Sequence, residues 1–193
     1  GKCRLCCFRE VTESIMNGVF DPSFEDLPSE IPIFPLTGVL LLPGGKLPLN
    51  IFEPRYLNMI SAALGGDRMI GMIQPTGENE GLQPSVYRTG CVGRLTSFNE
   101  TEDGRHLITL SGYIRFDIHK ELPLRNDFRT VVPDWTPYRD DLAEDDSAGI
   151  DWDRMLRALK GYFTANQVDA NWDAIKDTPT DQLVNALAMM CPF

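Results

Sequence analysis

A chain of 193 residues that is 42% hydrophobic can bury one full core or two modest ones, and nothing in its composition predicts disorder. Its formal net charge of -10 repels a polyphosphate backbone, whereas nucleic-acid binders gather Lys and Arg on one face, so nucleic acid is disfavoured as a partner. No apolar run approaches the ~20 residues that a membrane span needs, because Val39-Leu40-Leu41-Leu42 is cut short by Pro43.

The opening stretch, Gly1 to Arg9, is basic and cysteine-rich, and its apolar content is too short for the core of a signal peptide. Residues 1–26 are expected to form a loosely attached tail; the chain does not begin with Met, and a start-site artefact is the other reading of its first residues. Cys3-x-x-Cys6-Cys7 lacks the second ligand pair that a metal site needs, and Cys91, Cys191, His106 and His119 show no paired spacing. No metal and no cofactor are expected. Five cysteines cannot all pair within one chain, and without a secretory signal the reducing cytoplasm is the expected location.

Ile31-Pro32-Ile33-Phe34-Pro35-Leu36 comes next, then Leu41-Leu42-Pro43. Pro43-Gly44-Gly45-Lys46 is not a phosphate loop, since it lacks the first Gly at its proper distance and the Ser or Thr after the Lys; a tight loop between two strands explains it. The stretch from Leu47 to Tyr56 is the most informative, a strand that turns directly into a capped helix. Leu47, Leu49 and Ile51 alternate as on a half-buried pleat, Glu53 can cap, and Pro54 suits the first helical position. Phe52 and Leu57 fall at the two positions of a hydrophobic staple. The helix shows Tyr56, Leu57, Ile60, Ala63 and Leu64 on one face and stops at Gly65-Gly66. Glu53 beside Arg55 reads as an ion pair that fixes the turn, with contact to a ligand terminus as the functional alternative.

Together, the Ile-Pro-x-x-Pro-Leu strand at 31–36, the Leu-Leu-Pro at 41–43 and the Pro-Leu-Asn-Ile-Phe-Glu-Pro-Arg-Tyr run at 48–56 resemble the amino-terminal substrate-binding domain of Lon proteases. More closely, they are similar to the free-standing bacterial proteins that carry this domain alone. The resemblance runs from about Leu27 to the end of the chain. It implies an α+β fold, with a PUA-like β pseudo-barrel carrying one inserted helix over 27–138 and a C-terminal α-helical bundle, without the ATPase and peptidase domains of the full protease.

After the helix, Arg68 to Gln74 reads as a short buried strand and Pro75 to Gly81 as a polar loop. A hairpin follows: Gly90 to Asn99, a turn around Asp103-Gly104, and a long strand from Arg105 to about Lys120. Ile108, Leu110, Ile114, Phe116 and Ile118 share one parity of that strand, and Thr109, Ser111, Arg115 and Asp117 the other. Gly112 breaks the apolar row and marks a bulge or a close packing contact. The same hairpin, with Gly112-x-x-Arg115-Phe116, resembles the matching hairpin of the Lon domain. His106 and His119 are an odd number of residues apart and so face opposite sides of an unbroken strand, which argues against a shared metal.

Leu122-Pro123-Leu124 and Phe128 to Val132 suggest one more strand element, and the first module closes near Trp135 to Tyr138. Residues 139–150 are acidic and too polar to pack, and are expected to be the linker between modules. Ser147-Ala148-Gly149 matches the triplet around the catalytic serine of Lon proteases, but it falls in the region that resembles a different domain. Lys160 and Lys176, the only lysines after it, offer no spacing for a serine-lysine pair. The last third, 151–193, is helical: Trp152, Met155, Leu156, Leu159, Tyr162 and Phe163 mark one face, Trp172 and Ile175 a second helix, and Thr178-Pro179-Thr180-Asp181 opens a third with Leu183, Val184, Leu187, Ala188 and Cys191 as its stripe. That stripe ends barely covered, and the resemblance implies further helix beyond it.

With no nucleophile, metal cluster or cofactor loop, the chain is not expected to be an enzyme. The resemblance implies a recognition module that binds unfolded or exposed hydrophobic polypeptide segments, through an apolar groove or a free sheet edge. Trp135 and Tyr138, at the module junction, are the candidate peptide-binding residues, with burial in the junction as their other reading. The alternative function is a scaffold or adaptor that recognises one folded partner, as the Lon-like domain of cereblon takes part in a larger assembly. A hydrolase using Ser147 is the third.

Overall fold

The computed structural model describes residues 22–77, 83–143, 151–166, 172, 175 and 180–190. They fall into two compact units, one within Ser14–Ala143 and one within Glu144–Phe193. The first holds six strands and one helix: β1 (Ile31–Pro35), β2 (Lys46–Ile51), α1 (Pro54–Leu64), β3 (Met69–Ile73), β4 (Thr89–Glu100), β5 (His106–Glu121) and β6 (Arg129–Asp134). Short 3-10 segments at Phe24–Asp26 and Thr136–Leu142 flank them.

β1 runs parallel to β3 and antiparallel to β6, and β3–β4, β4–β5 and β5–β6 are antiparallel. These pairings close β1, β3, β4, β5 and β6 into a ring. The 16-residue β5 makes closure possible by serving two neighbours along one side: residues 106–111 pair with β2 and 117–121 with β6. Among the described residues β2 pairs with β5 alone and is the open edge. Ile31, Ile33, Met69, Ile73, Val92, Ile114, Phe116 and Val131 fill the core.

β5 buries Ile108, Leu110, Gly112, Ile114 and Phe116 in alternation, as its two-residue period predicts. Gly112 is both things expected of it. The register against β4 slips between Val92 and Gly93, and a Cβ on Gly112 would lie 1.9 Å from the Leu42 carbonyl oxygen. Gly71 and Gly90 leave room for the Phe116 ring, which a Cβ on either would meet within 3.0 Å. The Asp103-Gly104 turn forms as predicted, with Gly104 at φ +78 and Thr101 N–H donating to Arg105 O at 2.9 Å. β5 leads to β6 through a two-residue turn, Asn126-Asp127, both at positive φ, flanked by paired Arg125 and Phe128.

Local details at α1 depart from the sequence reading. Glu53 is the N-cap residue but makes no side-chain cap bond; its carboxylate pairs with Arg55 at 2.9 Å, because a guanidinium two residues on competes for it. The buried stripe is Tyr56, Met59, Ile60 and Ala63, so Met59 faces inward while Leu57 and Leu64 are half-buried. Phe52, expected to staple onto Leu57, is 65% exposed. Neither Gly65 nor Gly66 takes a left-handed conformation; Arg68 does, at φ +58.

Residues 22–26, assigned from sequence to the tail, pack on this unit. Phe24 lies against the core under the Arg139 guanidinium at 4.4 Å, and the Tyr113 hydroxyl donates to Pro22 O. Arg139 to Leu142, assigned to the start of the linker, belong to the second 3-10 segment. Asp141 is drawn in there by Arg115 and is, among the described residues, the least exposed of the ion-paired carboxylates, at 8%. Residues 144–150, including Ser147, lie outside the described residues, as do Cys3, Cys6, Cys7, Cys191, Thr178-Pro179 and 78–82.

In the second unit, α2 (Trp152–Ala165) starts at Asp151, whose carboxylate accepts from Arg154 N–H at 2.9 Å. Leu159 and Phe163 of α2 pack with Ile175 and with Leu183 and Leu187 of α3 (Thr180–Met190), and Trp152, Met155, Leu156, Tyr162 and Trp172 surround them. The aromatic and Met stripe is core, as its spacing predicts.

Candidate functional site: an open strand edge and its apolar surroundings

β2 offers the sheet's open edge, and its sequence decides which groups face outward. Gly112 N–H donates to Gly45 O at 2.7 Å, which turns the even-numbered residues of β5 toward β2. Their partners Leu47, Leu49 and Ile51, opposite Leu110, Ile108 and His106, therefore make the ladder. Lys46, Pro48 and Asn50 turn their main-chain groups away from β5. Pro48, which has no N–H, is tolerated at an outward position of an edge strand and would break the ladder at an inward one. Among the described residues, no main-chain bond beyond the β5 ladder reaches Lys46, Pro48 or Asn50.

The side chains of this edge divide by face. Leu47 and Leu49 share the side of buried Ile108 and Leu110 but are themselves only half-buried. Pro48 and Asn50 are exposed on the other side. At the end of the same strands stand three large exposed apolar residues: Phe52 at 65%, Phe98 at 40% and Leu107 at 42%. Phe98 pairs with Ile108 and shares its face, whereas Leu107 is on the opposite one. The His106 ring stands edge-on to Phe98 at 4.9 Å, and its Nδ1 is buried with no partner among the described residues.

The sequence reading missed this region although two signals were present. Pro48 inside a strand marks an edge, and Phe98 and Leu107 sit in polar settings, Ser97-Phe98-Asn99 and His106-Leu107, where an apolar side chain has no core to enter.

Trp135 and Tyr138 stand elsewhere in the unit, and both are half-buried against the core. The Trp135 indole N–H donates to Pro28 O at 3.2 Å, and its ring meets Phe116 edge-on at 5.8 Å. The Tyr138 hydroxyl donates to Asp117 at 3.0 Å under the Arg115 guanidinium at 4.8 Å. Asp117 also accepts from Thr89 at 2.6 Å and pairs with Arg88 at 3.0 Å; the Thr89 hydrogen bond first, then the Tyr138 one, hold its carboxyl below the usual value. Arg115 donates to Asp141 through Nε at 2.8 Å and through its own backbone N–H at 3.0 Å, and the side-chain bond raises the guanidinium's already high pKa. This network ties the 3-10 segment to β4 and β5. Burial pushes the Cys91 thiol far up, so it stays protonated.

A cleft of about 270 Å³ opens near the end of α1, lined among others by Pro32, Ala63, Met69, Phe128 and Thr130. The Thr130 hydroxyl is buried without a partner among the described residues. Glu30 and Arg125, which also line the cleft, pair with each other at 3.2 Å. No group of three or more His, Cys, Asp or Glu suited to a metal ion occurs among the described residues. No described helix is long and apolar enough to cross a membrane.

The model of the ATP-dependent protease La (LON) substrate-binding domain matches residues 30–193, and the chain belongs to that family. Among similar proteins, the Lon protease of Parabacteroides distasonis is 27% identical over 136 residues, covering 68% of this chain and 16% of that one. The Lon protease of Dictyoglomus thermophilum is 23% identical over 169 residues, 87% of this chain and 20% of that one. The chain thus spans a fifth or less of the length of these relatives. Among solved structures, a Lon N-terminal domain protein from Xanthomonas campestris gives a TM-score of 0.51 at 23% identity, covering 85% of this chain and 100% of that one. The N-terminal domain of a Mycobacterium avium complex Lon protease gives 0.54 at 13% identity, with 82% and 81% covered. At these identities the structural likeness concerns the fold.

Proposed function

We propose, from this membership of the Lon substrate-binding family, that the chain is a recognition module for polypeptide, binding unfolded or exposed hydrophobic segments without catalysing a reaction itself. The observation that carries the reading is the placement of Phe52, Phe98 and Leu107, three large exposed apolar side chains at one end of the β unit. Such side chains gain by burial against another chain at roughly 25 cal/mol per Å² of apolar surface. A folded partner would cover them as one fixed patch, but they lie on both faces of the sheet end, which suits a flexible chain better than a rigid surface. Trp135 and Tyr138 stay in the proposal as secondary positions, being half-buried and not sealed.

The closed strand ring supports reading the β unit as a PUA-like pseudo-barrel, and the packing of α2 on α3 supports a helical bundle after it. Cytoplasmic residence belongs to the same proposal and is supported by Cys91, a buried free thiol. The acidic net charge of -10 supports protein over nucleic acid as the partner.

The test is a titration of a fluorescently labelled, permanently unfolded polypeptide, read by anisotropy without nucleotide, with the same polypeptide in its folded form as control. Saturable binding to the unfolded form alone is expected. Equal binding to both forms, or binding to neither, overturns the reading in favour of a dedicated folded partner.

A further inference from the structure

We infer that an extended polypeptide segment with apolar residues at alternate positions docks by adding a strand to the outer edge of β2. The inference rests on the recognition-module reading and names the surface and the pattern it selects. Outward-facing Lys46, Pro48 and Asn50 present two N–H groups and three carbonyls that no described residue uses. Main-chain bonds to these groups read no side chain, which is what a binder of many different sequences requires.

Selectivity comes from the two faces of the added strand. Residues next to Leu47 and Leu49 extend the apolar face of Ile108 and Leu110 and cover two leucines that are half-buried without them. Their neighbours fall beside Lys46, Pro48 and Asn50 and stay in water. The favoured segment therefore alternates apolar and polar residues, the pattern of a half-buried strand released by unfolding.

The edge itself argues against a second copy of the chain as the occupant. A two-fold pairing of β2 on β2 about Pro48 sets two residues without N–H opposite each other and loses the central bonds. Six residues at ~3.3 Å each give a pairing line only about 20 Å long, room for one short strand. Transient capture of a foreign chain fits that size.

The experiment uses the full chain and four nine-residue peptides: alternating Val and Ser, the same composition with the valines in one block, and two forms of the alternating peptide N-methylated at every second residue, one in each register. Affinity is read by anisotropy, and amide hydrogen exchange is followed at Lys46 and Asn50. Expected are binding of the alternating peptide at least fivefold tighter than the block peptide, a tenfold or greater loss on N-methylation in one register, and slowed exchange at both amides. Asn50→Pro, which removes one outward N–H, is expected to weaken binding about fivefold while leaving the fold intact by its amide spectrum.

Equal binding of the N-methylated peptides, or unchanged exchange at Lys46 and Asn50, overturns the edge. If the unfolded polypeptide still binds in that case, the recognition-module reading survives and only the edge is lost. If neither peptides nor unfolded polypeptide bind, both fall.

Discussion

Gly112→Ala tests the packing argument most severely, because the obstacle is backbone. A Cβ there would sit 1.9 Å from the Leu42 carbonyl oxygen, 2.8 Å from its carbon and 3.2 Å from Leu41 Cδ1. No rotamer change relieves a clash with a main-chain carbonyl, so the 42–45 loop must move. That loop is bound to the same residue twice, Gly44 N–H donating to Gly112 O at 2.9 Å and Gly112 N–H to Gly45 O at 2.7 Å. Overpacking costs about 1–3 kcal/mol, and each hydrogen bond lost adds about 1 kcal/mol. The expected destabilisation is therefore about 3 kcal/mol, a large share of the stability of a unit this size. Since the chain has two units, a single transition is not assured, and urea unfolding is best followed on the amide resonances of β4 and β5. Gly161→Ala in α2 is the control: nothing lies within 4 Å of the added methyl, and a helix-interior glycine replaced by alanine gains about 0.5–1 kcal/mol. A Gly112→Ala loss below about 1 kcal/mol would refute the reasoning, since that is less than even one lost hydrogen bond plus a relaxed contact.

Asp117, held below its ordinary value of 3.8 chiefly by the Thr89 hydroxyl, contributes stability that is present above that value and lost as pH falls through its lower folded value. The β unit should lose this contribution below about pH 4, and Asp117→Asn should flatten that fall in urea titrations run from about pH 6 to about pH 2.5. Thr130→Val removes a buried hydroxyl that has no described partner and should stabilise the β unit by about 1 kcal/mol, the direction being the test in the same urea assay. Phe52→Ser with Phe98→Ser should weaken binding of the unfolded polypeptide at least tenfold while the β unit stays folded under the assay conditions, as anisotropy and urea unfolding together would show.

Much of the β unit was legible because its signals are local. The parity of Ile108 to Phe116, the Asp103-Gly104 turn and the break at Gly112 each follow from residues within one hairpin, and all appear in place. The helical stripe of Trp152 to Phe163 is legible for the same reason. What escaped is non-local. Phe52 looks like a staple until the chain beyond it fails to cover it, and Met59 rather than Leu57 is buried, a choice among the helix's apolar residues that only packing against other elements makes. Residues 139–142 look like linker by composition, yet Asp141 is fixed by Arg115, 26 residues away in sequence. The sites differ in the same way. Trp135 and Tyr138 are conspicuous by residue type, but their polar atoms bond to Pro28 and Asp117, whereas the β2 edge is defined by the strand that is missing beside it.

Ring closure explains why that edge stands out. A sheet of this size has two edges to protect, and the pairing of β6 with both β1 and β5 removes one of them and satisfies the outer side of β5 from residue 117 onward. The remaining outer side of β5, residues 106–111, is capped by β2, which leaves β2 itself uncapped among the described residues. Pro48 limits what can pair there, because a partner needing an unbroken ladder loses a bond at its centre. The same proline leaves the carbonyl of residue 48 and the groups of Lys46 and Asn50 in place. An edge blunted in this way disfavours permanent self-association and still admits short, replaceable strands, beside the exposed Phe52, Phe98 and Leu107.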